Sequence, residues 1–398
     1  MIDHAIYTLC ITTATALLAY VILWSGLQTF NANPSKRFRR IWPKLALYYA
    51  AYTMPIWALL LMVSWVLNLT PLFGSLSVLA VSGAMLMMAL YFYTVIVQPN
   101  RLRLQPQAID LGLQATLTVA VLADLRIGLY SGKPRHIRKL VATINALSAD
   151  VVLITGDWLY YPGADLVGQL MLFKGVNKPI YTVMSTSDLR YQSVNTTKQG
   201  QPLLEDTLAA AFDVLDISYI GQQCLPLSSK CAYKENTQLT ADGLSNSQNN
   251  EAAAEANAMI IAMLYGWQDL PKPLTNNEIM IAPNKEALSV KITNATQPVI
   301  ILASRFDSII NLPKLIRPRP LLIAGAEKSA LQGVLTGQQR QAEHRMNGKS
   351  TGFTTNSFSK KRGLYQHGSA QIFVSSGIGT RGLPFRLYRP TIDVLTIR

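Results

Sequence analysis

Of 398 residues, 49% are hydrophobic and only 15% are charged, a deficit that points to stretches buried in a bilayer. Basic residues outnumber acidic ones 36 to 22, for a net charge of +14. This excludes an acidic disordered chain and favours an anionic neighbour such as lipid headgroups, nucleic acid or phosphate esters. Three cysteines (Cys10, Cys224, Cys231) form no C-x-x-C pair and cannot scaffold so long a chain.

Residues 1–100 read as a membrane anchor. Ala5–Phe30 carries no charge and exceeds the roughly 20 residues a span needs. A signal peptide fits poorly, because Asp3 and His4 stand where Lys or Arg belongs and the apolar run is too long. Leu45–Asn100 is again uncharged, and the turn-like Asn68–Gly74 divides it into spans near Leu45–Leu69 and Ser75–Gln98. Three transmembrane helices are expected. Lys36, Arg37, Arg39, Arg40 and Lys44 place the first loop in the cytoplasm by the positive-inside rule. With three spans the C-terminal domain is cytoplasmic too, at what reads as a bacterial-type inner membrane. Arg101 and Arg103 agree with that sidedness.

Residues 99–398 keep 31 basic and 21 acidic side chains, +10 on their own. Their pattern is that of one α/β domain, residues 101–398, built from short β-rich runs and amphipathic helices. Thr116–Ala123 reads as a buried strand and His136–Leu147 as a helix with Ile137, Leu140, Val141, Ile144 and Leu147 on one face. Further strands are expected at Val151–Thr155, Ile180–Met184, Ile217–Ile220, Met259–Leu264, Val299–Ala303, Leu321–Ala324, Gln371–Ser375 and Ile392–Ile397. Ser228–Ala258, rich in Asn, Ser, Gln and Ala, reads as a low-complexity insertion. Gly333–Gly363 reads as a solvated basic loop, with membrane-surface contact as the alternative.

Sites in α/β sheets form at the carboxyl ends of strands. Asp124, Asp157 and Asp188 follow three successive predicted strands. One such aspartate is ordinarily a loop cap. Three in register suggest hard-cation or phosphate chemistry.

The order of these segments resembles the calcineurin-like metallophosphoesterases, in their membrane-associated branch. The residues that carry it are Ala123–Gly128, Ala149–Asp157 with its Thr-Gly-Asp, Ile180–Asp188, Ile300–Asp307, Leu321–Lys328 and Phe373–Arg386 with its Ser-Gly-Ile-Gly-Thr. The resemblance spans about residues 108–398. It implies a two-sheet β-sandwich flanked by helices, phosphoester hydrolysis, and two divalent ions (Mn, Fe or Zn) held by Asp, His and Asn. In that family the metals generate the hydroxide nucleophile and a histidine protonates the leaving group.

This chain departs from that pattern at most ligands. Asp124 and Asp157 are kept, and are the only metal ligands expected if any metal binds. The family's histidine positions hold Arg126, Ser187, Arg305, Ala326 and Lys328, and Thr186 stands for the asparagine. Of the four histidines only His367, which precedes a predicted strand, is a candidate to approach the site, and a surface role is its more ordinary reading. No bound cofactor is therefore expected.

Arg126, Arg305 and Lys328 put cations where metal ligands would sit. They either pair with the aspartates in the metal's stead or snorkel to solvent. The leading reading is a membrane-anchored, catalytically inactive homologue. It would bind an anionic phosphate ligand through Arg126, Arg305 and Lys328, or a membrane-protein partner. The alternative is an active phosphoesterase with a reduced site on Asp124, Asp157 and Asp188, acting on a phosphomonoester or phosphodiester, plausibly lipid-linked. No specific nucleic-acid partner is expected.

Overall fold

The computed structural model describes residues 2–32, 42–43, 46–53, 56, 59, 82–113, 115–128, 134–160, 166–185, 187–188, 204–221, 224–228, 260–267, 298–304, 320–325, 362–367, 370–379 and 389–398. Among the described residues the N-terminal part holds two helices long and apolar enough to cross a membrane. Helix α1 is Ile2–Ala32, with its most apolar window at Thr8–Leu27, and α2 is Ser82–Asn100. Much of the expected middle span, Asn68–Gly74 included, lies outside the described residues, although 46–53 is helical. That stretch joins the other two. The rings of Trp24 and Tyr49 meet edge to face at 4.4 Å, and the Tyr91 hydroxyl donates to the Ala51 carbonyl at 2.7 Å. Leu23 and Met87 are each 69% exposed on the outside of α1 and α2, a surface that suits hydrocarbon better than water.

Among the described residues the remainder is α/β with two mixed six-stranded sheets. The first has the order β1 (Arg103–Ile109), β12 (Thr391–Ile397), β2 (Leu117–Leu122), β3 (Val151–Ile154), β4 (Ile180–Thr182), β5 (Ile217–Tyr219). Strands β2 to β5 run parallel, and β12 is antiparallel to β2. The second sheet has the order β10 (Gly363–His367), β11 (Ala370–Ser375), β9 (Leu321–Gly325), β8 (Val299–Ala303), β7 (Ile260–Trp267), β6 (Cys224–Ser228). Its central pairs are parallel and its two outermost pairs antiparallel.

Residue alternation along β2 assigns the two faces of the first sheet. Val119 and Val121 join Leu153, Val183, Ile300, Leu302, Ile323 and Phe373 in a core between the sheets. Ala120 and Leu122 face the other way, into a second core with the helices. Those helices are α3 (Pro134–Ala146), α4 (Leu166–Leu170, continuing as a 3-10 turn to Gly175) and α5 (Leu204–Val214). Ile137, Leu140, Val141 and Ile144 of α3 are buried at helical spacing, as their periodicity predicts. Trp158 fills the middle of this core between Phe173 and Phe212, and its indole N–H donates to Thr182 Oγ1 at 2.7 Å.

Several elements depart from expectation. Strands β1, β6 and β10 and helices α4 and α5 had no predicted counterpart. The insertion and the basic loop begin and end inside strands, since Ser228 closes β6 and Gly363 opens β10. Most of both stretches lies outside the described residues.

Candidate functional site

The carboxyl ends of β2, β3 and β4 are neighbours in the first sheet, so Asp124, Asp157 and Asp188 sit along one edge. Asp124, Arg126 and Asp157 all take left-handed backbone conformations, with φ of 56°, 53° and 53°. Such conformations cost non-glycine residues about 1–3 kcal/mol each and cluster where a site is held against strain. Cross-loop hydrogen bonds hold them here. Arg126 N–H donates to the Asp157 carbonyl at 2.9 Å, Ile127 N–H to Trp158 at 2.7 Å, and Gly379 N–H to Asp124 at 2.6 Å. Asp216 shares the conformation (φ 57°) but merely ends α5.

The Arg126 guanidinium lies between two carboxylates. Its Nη2 is 2.8 Å from Asp124 Oδ1 and 3.6 Å from Asp157 Oδ2. The three side chains are nearly closed to solvent, at 4% exposure for Arg126 and Asp157 and 11% for Asp124. Asp157 also accepts a hydrogen bond from the Ser187 hydroxyl, which is itself 2.9 Å from Ser185 Oγ. Among the described residues the aspartates thus share the Arg126 cation and a short hydroxyl chain.

Asp188 does different work. Its Oδ1 accepts from Leu159 N–H at 2.9 Å, and its Oδ2 from both the N–H and the hydroxyl of Ser185 at 2.9 Å. Both oxygens help to stitch the β3 loop to the β4 loop. Burial, and after it the charge of Asp157, push the Asp188 carboxyl from 3.8 up to about 6, against the pull of those donors.

The second sheet closes the site from above. A β-carbon on Gly377 (φ +77°) would stand 2.7 Å from Asp124 Cβ, so only glycine lets the β11 loop approach so closely. A β-carbon on Gly325, at the end of β9, would meet the Ser304 carbonyl at 3.0 Å and Thr155 Oγ1 at 3.2 Å. Among the described residues the buried hydroxyls of Thr155, Ser304 and Ser376 have no hydrogen-bond partner. Buried polar atoms in that condition are uncommon in folded proteins.

Of the residues singled out in the sequence, Asp124, Arg126, Asp157 and Asp188 come together. Arg305 and Lys328 lie outside the described residues, as do Thr186 and Ala326. Arg305 follows Ser304 in the chain, and Lys328 comes three residues after Gly325. His367 does not approach. It pairs with Ala370 at the end of the β10–β11 hairpin away from Ser375, hence at the opposite edge of the sheet. Arg362, read as part of a solvated loop, instead donates to Asp393 at 2.7 Å. Asp393 is fully buried, and burial raises its carboxyl while Ser375 and Arg362 hold it down. Hydroxyls of Ser185, Ser304 and Ser376 carry no signal in the sequence, because serine is common in any loop. Gly377 and Gly379 were visible as a Gly-x-Gly after a strand, but their close approach to Asp124 was not.

Among the described residues no group of three or more His, Cys, Asp or Glu side chains is placed to hold a metal ion. No family model matches the chain, and no curated protein matches it.

Proposed function

We propose that this is a membrane-anchored binding module on a metallophosphoesterase-like fold, with an arginine where the family places metal. The carrying observation is the Arg126 guanidinium lodged between Asp124 and Asp157 on a side chain 4% exposed. Buried carboxylates require a compensating cation, and here a side chain supplies it. A dinuclear site does not suit these residues. Metal at Asp124 and Asp157 would have to displace a buried guanidinium, and the Asp188 carboxylate is turned to the N–H groups of Leu159 and Ser185. The two mixed sheets, the strand-end aspartates and the glycine approach from β11 support the resemblance in fold.

The ligand is an anion bearing phosphate. Arg126 is already committed to its aspartates, so it positions the floor of the site. Arg305 and Lys328 supply the charge that meets the ligand. The apolar helices α1 and α2, with a third span between them, hold the domain on the cytoplasmic side of the inner membrane.

The test uses full-length protein in neutral-lipid nanodiscs. It should bind inorganic phosphate without hydrolysing bis-p-nitrophenyl phosphate, and binding should fall in Arg305→Ala and Lys328→Ala. Turnover abolished by Asp157→Ala, or phosphate binding indifferent to both substitutions, would contradict the reading.

A further inference from the structure

The edge of the first sheet that carries the site is also the edge at which the chain leaves α2. Arg103 opens β1 opposite Thr391, and β12 runs antiparallel to β2, so the starts of β1 and β12 lie beside the carboxyl end of β2. Helix α3 follows β2 and runs back along it, so its first turns lie at the same edge. There the Lys139 ammonium donates to the Asn100 carbonyl, the last of α2, at 3.2 Å. On the site side, Tyr160, three residues after Asp157, packs against Tyr48 of the helical stretch 46–53. The site edge and the apolar helices are therefore joined at two points.

This flank is strongly basic. Arg101, Arg103, Arg135, Arg138, Lys139 and Arg389 are all exposed, and none forms an ion pair with a described residue. Arg135, Arg138 and Lys139 fall at i, i+3 and i+4, one face of α3. They also occupy the first two turns, where the helix dipole disfavours cations, and no acidic residue stands in the first turn. Among the residues whose exposure is described, the exposed acidic ones are Asp110, Asp150, Asp213 and Asp216, and they lie at the other edge, beside the ends or starts of β1, β2, β3 and β5. A local arrangement unfavourable in isolation is relieved if a negative surface lies against it.

We infer that this basic flank rests on the anionic headgroups of the membrane in which α1 and α2 are embedded, holding the site edge against the bilayer surface. The inference rests on the membrane-anchored reading above. It commits to lipid because the patch is continuous with the end of an apolar helix and complementary in charge to acidic phospholipid. The site then opens at headgroup level rather than toward bulk cytoplasm.

The experiment is amide hydrogen exchange on the full chain in nanodiscs of phosphatidylcholine alone or mixed with phosphatidylglycerol. Amides in residues 101–103 and 135–140 should exchange about tenfold more slowly with the anionic lipid. The slowing should vanish in about 1 M salt, where the Debye length is about 3 Å. It should vanish likewise in Arg135→Glu/Arg138→Glu/Lys139→Glu, whose melting in phosphatidylcholine discs should match the natural chain. Equal exchange in the two lipids, or slowing that survives salt, overturns the inference. Release of the chain from membranes by alkaline carbonate would instead overturn the anchored reading itself, so the two failures are distinguishable.

Discussion

Replacing Arg126 with Met keeps much of the side-chain volume and removes the charge. Asp124 and Asp157 would then face each other in a region only 11% and 4% exposed, without the guanidinium between them. Removing one partner of a buried ion pair costs about 3–5 kcal/mol, because a buried charge is left uncompensated. In a domain of this size that lowers the melting temperature by roughly 10 °C. Near-ultraviolet circular dichroism of the full chain in nanodiscs reads the loss. Arg126→Lys should recover part of it, since an ammonium supplies charge without the planar fork. Adding Asp124→Asn to Arg126→Met should also recover part, a coupling of about 1–3 kcal/mol in a double-mutant cycle. Unchanged melting in Arg126→Met would mean that the guanidinium neutralises nothing, and the stand-in argument would fail.

Three further outcomes follow from the same geometry. Asp188 binds its proton more tightly folded (about 6) than unfolded (3.8), so the native state holds more protons between those values. Stability should therefore fall as pH rises from about 4 to 6, by about 3 kcal/mol at most, and Asp188→Asn should flatten that slope in melts across the range. Arg362→Met should lower stability by about 3 kcal/mol or more, because Asp393 is fully buried, whereas Arg389→Met on the exposed flank should change it by less than about 0.5 kcal/mol in neutral lipid. Gly377→Ala should destabilise by about 2–4 kcal/mol from the collision with Asp124 and the positive φ, read as a lower denaturant midpoint with unchanged m.

What was legible in the sequence is what periodicity and strand-end chemistry can carry. The buried strands β2, β3, β8, β9, β11 and β12 are short apolar runs, and they stand close to their expected positions. Strand β1 escaped because Arg103, Gln105, Pro106 and Gln107 make it polar. It is an edge strand, where exposure removes the apolar signal and Pro is tolerated. Helix α4 is five residues long, too short to show a helical period.

At the site, the placing of Asp124 and Asp157 was legible because both follow strands. The sequence leaves Arg126, placed beside them by the family resemblance, either pairing with them or reaching to solvent. Asp188 was legible in place but not in role. Nothing in a sequence says that both its oxygens are taken by the N–H groups of Leu159 and Ser185 and the Ser185 hydroxyl. The pairing of Arg362 with Asp393 spans 31 positions and joins two sheets. Long-range polar pairs leave no periodic trace.

The most direct test of the account is the metal content of the purified full chain after incubation with manganese and with zinc. With Arg126 between the aspartates, the protein should retain only trace metal, and Asp157→Ala should not change that amount. Near-stoichiometric metal that disappears in Asp157→Ala would contradict the account, since the guanidinium would then have to yield its place.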